Sequence, residues 1–160
     1  MINVRQKGAD GERQVATALN AVVNKVLQRH GRPLPAAPMV QRNQNQSAVG
    51  GKDLTGTYGL ALEIKRQEAL SVGTWWTQCV KSAADLNEQP VLVFRQNNGK
   101  WRVMVNGAVQ LPPKAGDIPW RMVRAEITWE DFLAFFEDHI DRLIALETSE
   151  MIQRGELEPV

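Results

Sequence analysis

Residues 53–66 read DLTGTYGLALEIKR, and the second half of that stretch decides the fold. From Leu60 onward apolar and polar positions alternate. Leu60, Leu62 and Ile64 fall on one face, and Ala61, Glu63 and Lys65 on the other, which is the period of a β-strand with one face in a core. Glu63 and Lys65 therefore project from the same face, roughly 7 Å apart along the chain. An acid and a base fixed side by side on a rigid strand suit phosphodiester hydrolysis. The carboxylate can hold a divalent cation, while the lysine orients water and offsets developing charge as the ammonium, or deprotonates water as the neutral amine. Mg²⁺ is the natural metal, because it prefers oxygen ligands and keeps several waters. A Glu-x-Lys pair on an edge strand also reads as an ordinary exposed ion pair.

Asp53 precedes Glu63 by ten residues, with Tyr58-Gly59 as a turn between them. Folding back there sets Asp53 beside Glu63, so that two carboxylates could share a metal. Alternatively, Asp53 only caps the turn at Gly50-Gly51. Further upstream, Asp10 is a candidate cap for a helix over residues 11–29, where Val15, Leu19, Val22, Val23, Val26 and Leu27 recur at helical spacing. Glu12 lies at the centre of that apolar stripe and faces the protein. A carboxylate buried there needs a partner or a metal, although the first turn of a helix also favours acids. Gly31 and Pro33 end the helix, residues 32–38 read as a loop, and residues 39–44 read as a short strand. A polar loop follows, and a second strand begins near Lys52 or Asp53.

Downstream, residues 74–87 predict a helix with Trp75, Trp76, Cys79, Ala83 and Leu86 on one arc. Gln78, Lys81 and Asp85 lie on the adjoining flank, so Gln78 is expected at the rim of whatever the sheet presents. Trp75, Trp76 and Cys79 read more simply as core than as ligand-binding groups. Residues 91–95 and 100–105 predict two strands joined through Asn97-Asn98-Gly99, a hairpin signal. Residues 107–119 read as a loop, and 121–127 as one more strand. A last helix opens at Thr128, with Asp131 completing a capping box. It carries an apolar stripe of Phe132, Phe135, Phe136, Ile140, Leu143 and Ile144, and frays after about residue 148. That stripe can pack on its own domain or form a homodimer interface. In the homodimer reading the acidic face beside it, Glu137, Asp138 and Asp141, would keep a polyanion on the opposite, basic side.

The 160 residues fit one domain, with a core over about 7–105 and an appendage over about 120–148. No apolar run approaches the roughly 20 residues that cross a bilayer. The first eleven residues lack the apolar run of a signal peptide, so a cytoplasmic protein with no membrane partner is expected. A single cysteine, Cys79, excludes an internal disulfide, and His30 and His139 lie far apart, which argues against zinc. Net charge is only +1, but residues 1–125 hold 17 Lys/Arg against 8 Asp/Glu, whereas residues 126–160 hold 2 against 10. A basic body is the footprint of a polyanion binder, and also of a plain solvated surface.

Together these pieces resemble the PD-(D/E)XK nuclease superfamily, and within it the Holliday-junction resolvases of archaeal and phage type. Residues 7–13, KGADGER, look like that group's opening helix, with Glu12 as its metal-site glutamate. Arg42, Ser47 and residues 50–53, GGKD, are similar to its arginine-and-serine loop leading into the first metal-binding aspartate, although Lys52 stands where the superfamily's name has proline. Residues 62–65, LEIK, are similar to the signature strand, and Gln78 falls where those enzymes carry a helix glutamine. The resemblance covers roughly residues 7–105. It implies a restriction-endonuclease-like α/β fold, with a central mixed sheet flanked by helices and an additional C-terminal helix. It also implies an endonuclease of branched DNA from a phage or prokaryote, dependent on Mg²⁺ with Mn²⁺ as a substitute, and acting as a homodimer.

In that reading Asp53, Glu63 and the Ile64 carbonyl hold the metal and Glu12 supports it. Lys65 positions the attacking water, and Gln78 orients Lys65 or the scissile phosphate. Lys7, Arg13, Arg42, Ser47, Lys52, Arg66 and Lys81 are candidate DNA contacts, which position a backbone without reading sequence. Three rival readings remain: a nuclease of the same fold acting on flaps, ends or duplex, a non-catalytic DNA-binding protein on this scaffold, and an interaction protein with no nucleic-acid role.

Overall fold

The computed structural model describes residues 4–44, 52–114, 116 and 119–158, so Ser47, Gly50 and Gly51 lie outside the described residues. Helix α1 spans Val4–Arg29. It begins earlier than the expected cap at Asp10, because nothing over residues 4–10 breaks a helix. Asp10 instead lies inside α1 and pairs with Arg13 one turn on, at 2.5 Å. The stripe is as read from the sequence: Val15, Leu19, Val23 and Val26 are fully buried.

Two short strands follow, β1 at Gln41–Arg42 and β2 at Leu54–Thr55, paired antiparallel. The expected strand over 39–44 is cut short for a visible reason. The Asn20 side chain takes both backbone groups of Val40, donating to its carbonyl at 2.8 Å and accepting from its N–H at 2.9 Å. A helix side chain thus replaces the strand partner. The turn before the next strand starts at Gly56 (φ 69°), where a Cβ would lie 1.9 Å from the Met39 carbonyl oxygen. No other residue fits there. It closes at Tyr58 and Gly59, both left-handed, as expected.

Strand β3 (Leu60–Gln67) leads through helix α2 (Val72–Leu86) to β4 (Gln89–Gln96), which pairs with it in parallel. A left-handed Asn98 then turns the chain into β5 (Arg102–Gln110), and β6 (Trp120–Thr128) completes the order β3-β4-β5-β6. The loop expected over 107–119 is shorter, because β5 runs on to Gln110 opposite Trp120. Gly107 is a residue of close approach within the strand, not a breaker: a Cβ there would stand 3.2 Å from that of Ala125. Helix α3 (Trp129–Gln153) is capped by Thr128, whose hydroxyl accepts from the Asp131 N–H at 3.0 Å, and it runs past the expected fraying point.

The sheet is covered on both faces. Leu60, Leu62, Ile64, Val91, Val93 and Val103 pack against α1 and α3, while Leu92, Phe94 and Met104 pack against Trp75 and Cys79 of α2. Trp75 and Cys79 are therefore core, as the simpler sequence reading held. Phe132, Phe136, Ile140 and Ile144 of α3 are buried in the first cluster. Truncating either phenylalanine to alanine costs about 3–5 kcal/mol by the usual cavity cost. The acidic face of α3 is not a free repelling field, since Glu137 pairs with Lys25 and Arg29, and Asp141 with Arg29 and His30. A four-stranded mixed sheet flanked by three helices is a mixed α/β, restriction-endonuclease-like arrangement. Among the described residues no helix is long and apolar enough to cross a membrane.

Candidate active site

Strand β3 forms one edge of the four-stranded sheet, and Asp53 lies along its outer side. The Asp53 N–H donates to the Leu62 carbonyl at 2.8 Å, as a neighbouring strand would. One step further the ladder changes: the Ile64 N–H donates to the Asp53 carboxylate, Oδ2, at 2.6 Å. A side chain has taken the place of a backbone acceptor. In a strand the N–H and C=O of one residue point the same way, so the Ile64 carbonyl also faces this edge. Asn43 fixes Asp53 from the other side, its N–H donating to the Asp53 carbonyl at 2.8 Å.

Glu63 and Lys65 stand on one face of β3, as alternation required, and form an ion pair at 2.5 Å. Asp53 is 8% exposed, and burial pushes its pKa from 3.8 up to about 7. The charge of Glu63 pushes the same way and that of Glu12 adds to it, against the Ile64 N–H and Lys65. Burial works to lower the Lys65 pKa, but its bond to Glu63 and the charges of Glu63, Asp53 and Glu12 outweigh this and raise it. Lys65 is thus a fixed cation. Glu12 is buried from α1, as the helical wheel placed it, and its partner is Arg42 of β1, with Nε 2.5 Å from the carboxylate.

Three acids and a lysine therefore share one partly buried edge, and the acids are short of positive charge. This is the condition under which carboxylates take up a cation. Among the described residues no set of three His, Cys, Asp or Glu side chains is arranged to hold a metal. The donors that fit one are fewer: the Asp53 and Glu63 carboxylates and the edge-facing Ile64 carbonyl. An all-oxygen set with two carboxylates suits Mg²⁺, which keeps several waters and needs no closed protein cage.

The remaining expected residues are dispersed. Gln78 is exposed on α2, next to Cys79, whose thiol lies 3.7 Å from the Ala61 carbonyl of β3. No hydrogen bond joins Gln78 to Glu63 or Lys65 among the described residues. Lys52 is held by Glu88 at 2.6 Å and Lys7 lies 3.6 Å from Glu68. Arg13 pairs with Asp10, and Lys81 is exposed on α2. Arg66 is half-buried beside α1. Arg95, which the sequence reading missed, is its register partner on β4. The available signal was that LALEIKR and PVLVFR, on either side of one helix, each end a strand-like apolar run on an arginine, which the parallel register then sets side by side.

No curated protein and no solved structure matches the chain. A family model described as "Phage putative PDDEXK endonuclease" matches residues 3–153, nearly the whole length, and the chain belongs to that family.

Proposed function

We propose that this chain is a Mg²⁺-dependent, structure-selective DNA endonuclease that cuts four-way junctions, with Asp53, Glu63 and Lys65 as its catalytic core. The observation that carries this reading is the Asp53 carboxylate seated on the Ile64 N–H beside the Glu63–Lys65 pair. Asp53, Glu63 and the Ile64 carbonyl hold the metal, and Glu12, kept in place by Arg42, supports it. Bound Mg²⁺ supplies Lewis-acid activation of water and neutralisation of phosphate charge. Lys65 keeps its proton, so it orients the attacking water by donating hydrogen bonds and stabilises the charge that builds on the phosphate. Gln78, on the turn of α2 over β3, reaches the scissile phosphate from the solvent side.

Junction selectivity requires two sites facing opposing strands, hence a homodimer. Exposed apolar groups favour one: Trp120 and Met122 are 61% and 63% exposed on β6, and Phe135 is 42% exposed on α3. Mn²⁺ is expected to substitute for Mg²⁺. The test is cleavage of a labelled four-way junction and of linear duplex with the same arms, with Mg²⁺ and with EDTA. Paired nicks at the branch point, with Mg²⁺ only, support the reading. Equal cutting of linear duplex keeps the nuclease and removes the junction assignment. Binding without cutting under any divalent metal removes the catalytic reading.

A further inference from the structure

Among the described residues ten lysines and arginines have a carboxylate within ion-pair distance. Most cations without one are exposed and need none. Arg66 and Arg95 differ. Among the described residues they are the only half-buried cations with no acid partner.

They are also placed together. Arg66 of β3 and Arg95 of β4 are direct register partners in the parallel pair, so both project from the sheet face that carries α1. Arg95 is held rigidly: its guanidinium lies 4.3 Å from the Trp101 ring centroid, and Nη2 donates to Gln14 of α1 at 2.9 Å. Both Nε atoms are buried with no hydrogen-bond partner among the described residues. Burial and the charge of Arg66 lower the Arg95 pKa. Two guanidiniums side by side, partly desolvated and short of acceptors, repel each other, and an anion between them would relieve that cost. A forked donor matches the oxygens of a phosphate.

Position supplies the kind of phosphate. Arg66 is two residues, roughly 7 Å, beyond Ile64 on β3, and Arg95 is about 4.8 Å further across the sheet. Glu63 and Lys65 project from the opposite face of β3, so a strand touching both places passes round the end of the sheet between them. We infer that Arg66 and Arg95 together form a backbone-phosphate site for the DNA strand entering or leaving the Asp53–Glu63–Lys65 edge. This inference rests on the nuclease reading and extends it to substrate binding away from the cut.

The test is fluorescence anisotropy of a labelled duplex with the full chain in EDTA, so that nothing is cut, over a series of KCl concentrations. Each phosphate contact contributes about 0.9 to the slope of log K against log salt. Arg66→Gln and Arg95→Gln are each expected to weaken binding about tenfold and to reduce that slope by about one, with the double variant losing nearly two. Arg95→Lys keeps the charge over Trp101 and retains the wild-type slope, which separates a phosphate contact from a folding defect. Arg142→Gln, exposed on α3, leaves affinity and slope unchanged. Slopes and affinities equal to wild type in both glutamine variants overturn the site and leave the nuclease reading standing. A wild-type chain that binds no DNA overturns both.

Discussion

Replacing Asp53 with asparagine tests the electrostatics of the edge without disturbing its shape. The asparagine oxygen can still accept from the Ile64 N–H, and only the charge is lost. In the metal-free protein the Asp53 pKa rises from 3.8 to about 7. Folding therefore favours its protonated form: the stabilisation is complete below about pH 4 and is lost as pH rises through 7. A shift of about three units corresponds to about 4 kcal/mol, applicable with little discount because the residue is 8% exposed. At pH 8 in EDTA the wild type holds a buried charge next to Glu63, and Asp53→Asn does not. The variant is expected to melt about 10 °C higher there, at roughly 2–4 °C per kcal/mol for a chain of this size. At pH 4 the difference should shrink towards zero. Thermal melts by circular dichroism from pH 4 to 8 measure this directly. A variant less stable than wild type at pH 8, or one shifted equally at both ends, would refute the reasoning.

The same proton couples to metal. Because a cation must displace it, Mn²⁺ affinity measured by calorimetry should rise nearly tenfold per unit between pH 5 and 7 and level off above; an affinity flat across that range contradicts the assignment of Asp53 as a ligand. Arg42→Met leaves the buried Glu12 carboxylate without its guanidinium, and about 2 kcal/mol of stability should go, a value held below that of a fully buried pair because Arg42 is one-third exposed. Adding Glu12→Gln should restore most of the loss, and a double variant no better than the single one argues that the pair is incidental. Burial, with the charge of Glu63 behind it, pushes the Cys79 thiol up to about 12. A disulfide reagent at pH 8 should then label it only after denaturation, and labelling of the native chain within minutes would show that α2 does not pack on β3 as described.

What was legible in the sequence was local. The alternation from Leu60 to Lys65 gave the edge strand, the left-handed turn at Tyr58-Gly59 brought Asp53 back beside it, and the wheel of α1 turned Glu12 inward. Each rests on a period or a turn that a few residues specify by themselves. The features missed depend on contacts distant in sequence. Asn20 keeps Val40 out of β1 from twenty residues away, and no propensity in residues 39–44 reports that. Lys52 and Arg42 looked like surface cations, yet Glu88 and Glu12 hold them. The pairing of Arg66 with Arg95 follows only from the parallel register across α2. Gly107 and Pro112-Pro113 carried the same loop signal, but the facing strand covers the glycine and not the prolines. Gln78 shows the converse, since its place in the chain is as expected while its neighbours on the described surface assign it no contact.

The central claim is that Asp53, Glu63 and Lys65 hydrolyse DNA with the help of a divalent metal. Single-turnover cleavage of a labelled four-way junction by wild type and by Glu63→Gln, each with Mg²⁺ and with EDTA, tests it most directly. Cleavage by the wild type in Mg²⁺ alone, and a loss of at least about 10³-fold in the variant with junction binding retained, is the expected result. Cleavage that survives EDTA, or that Glu63→Gln performs at the wild-type rate, would contradict it.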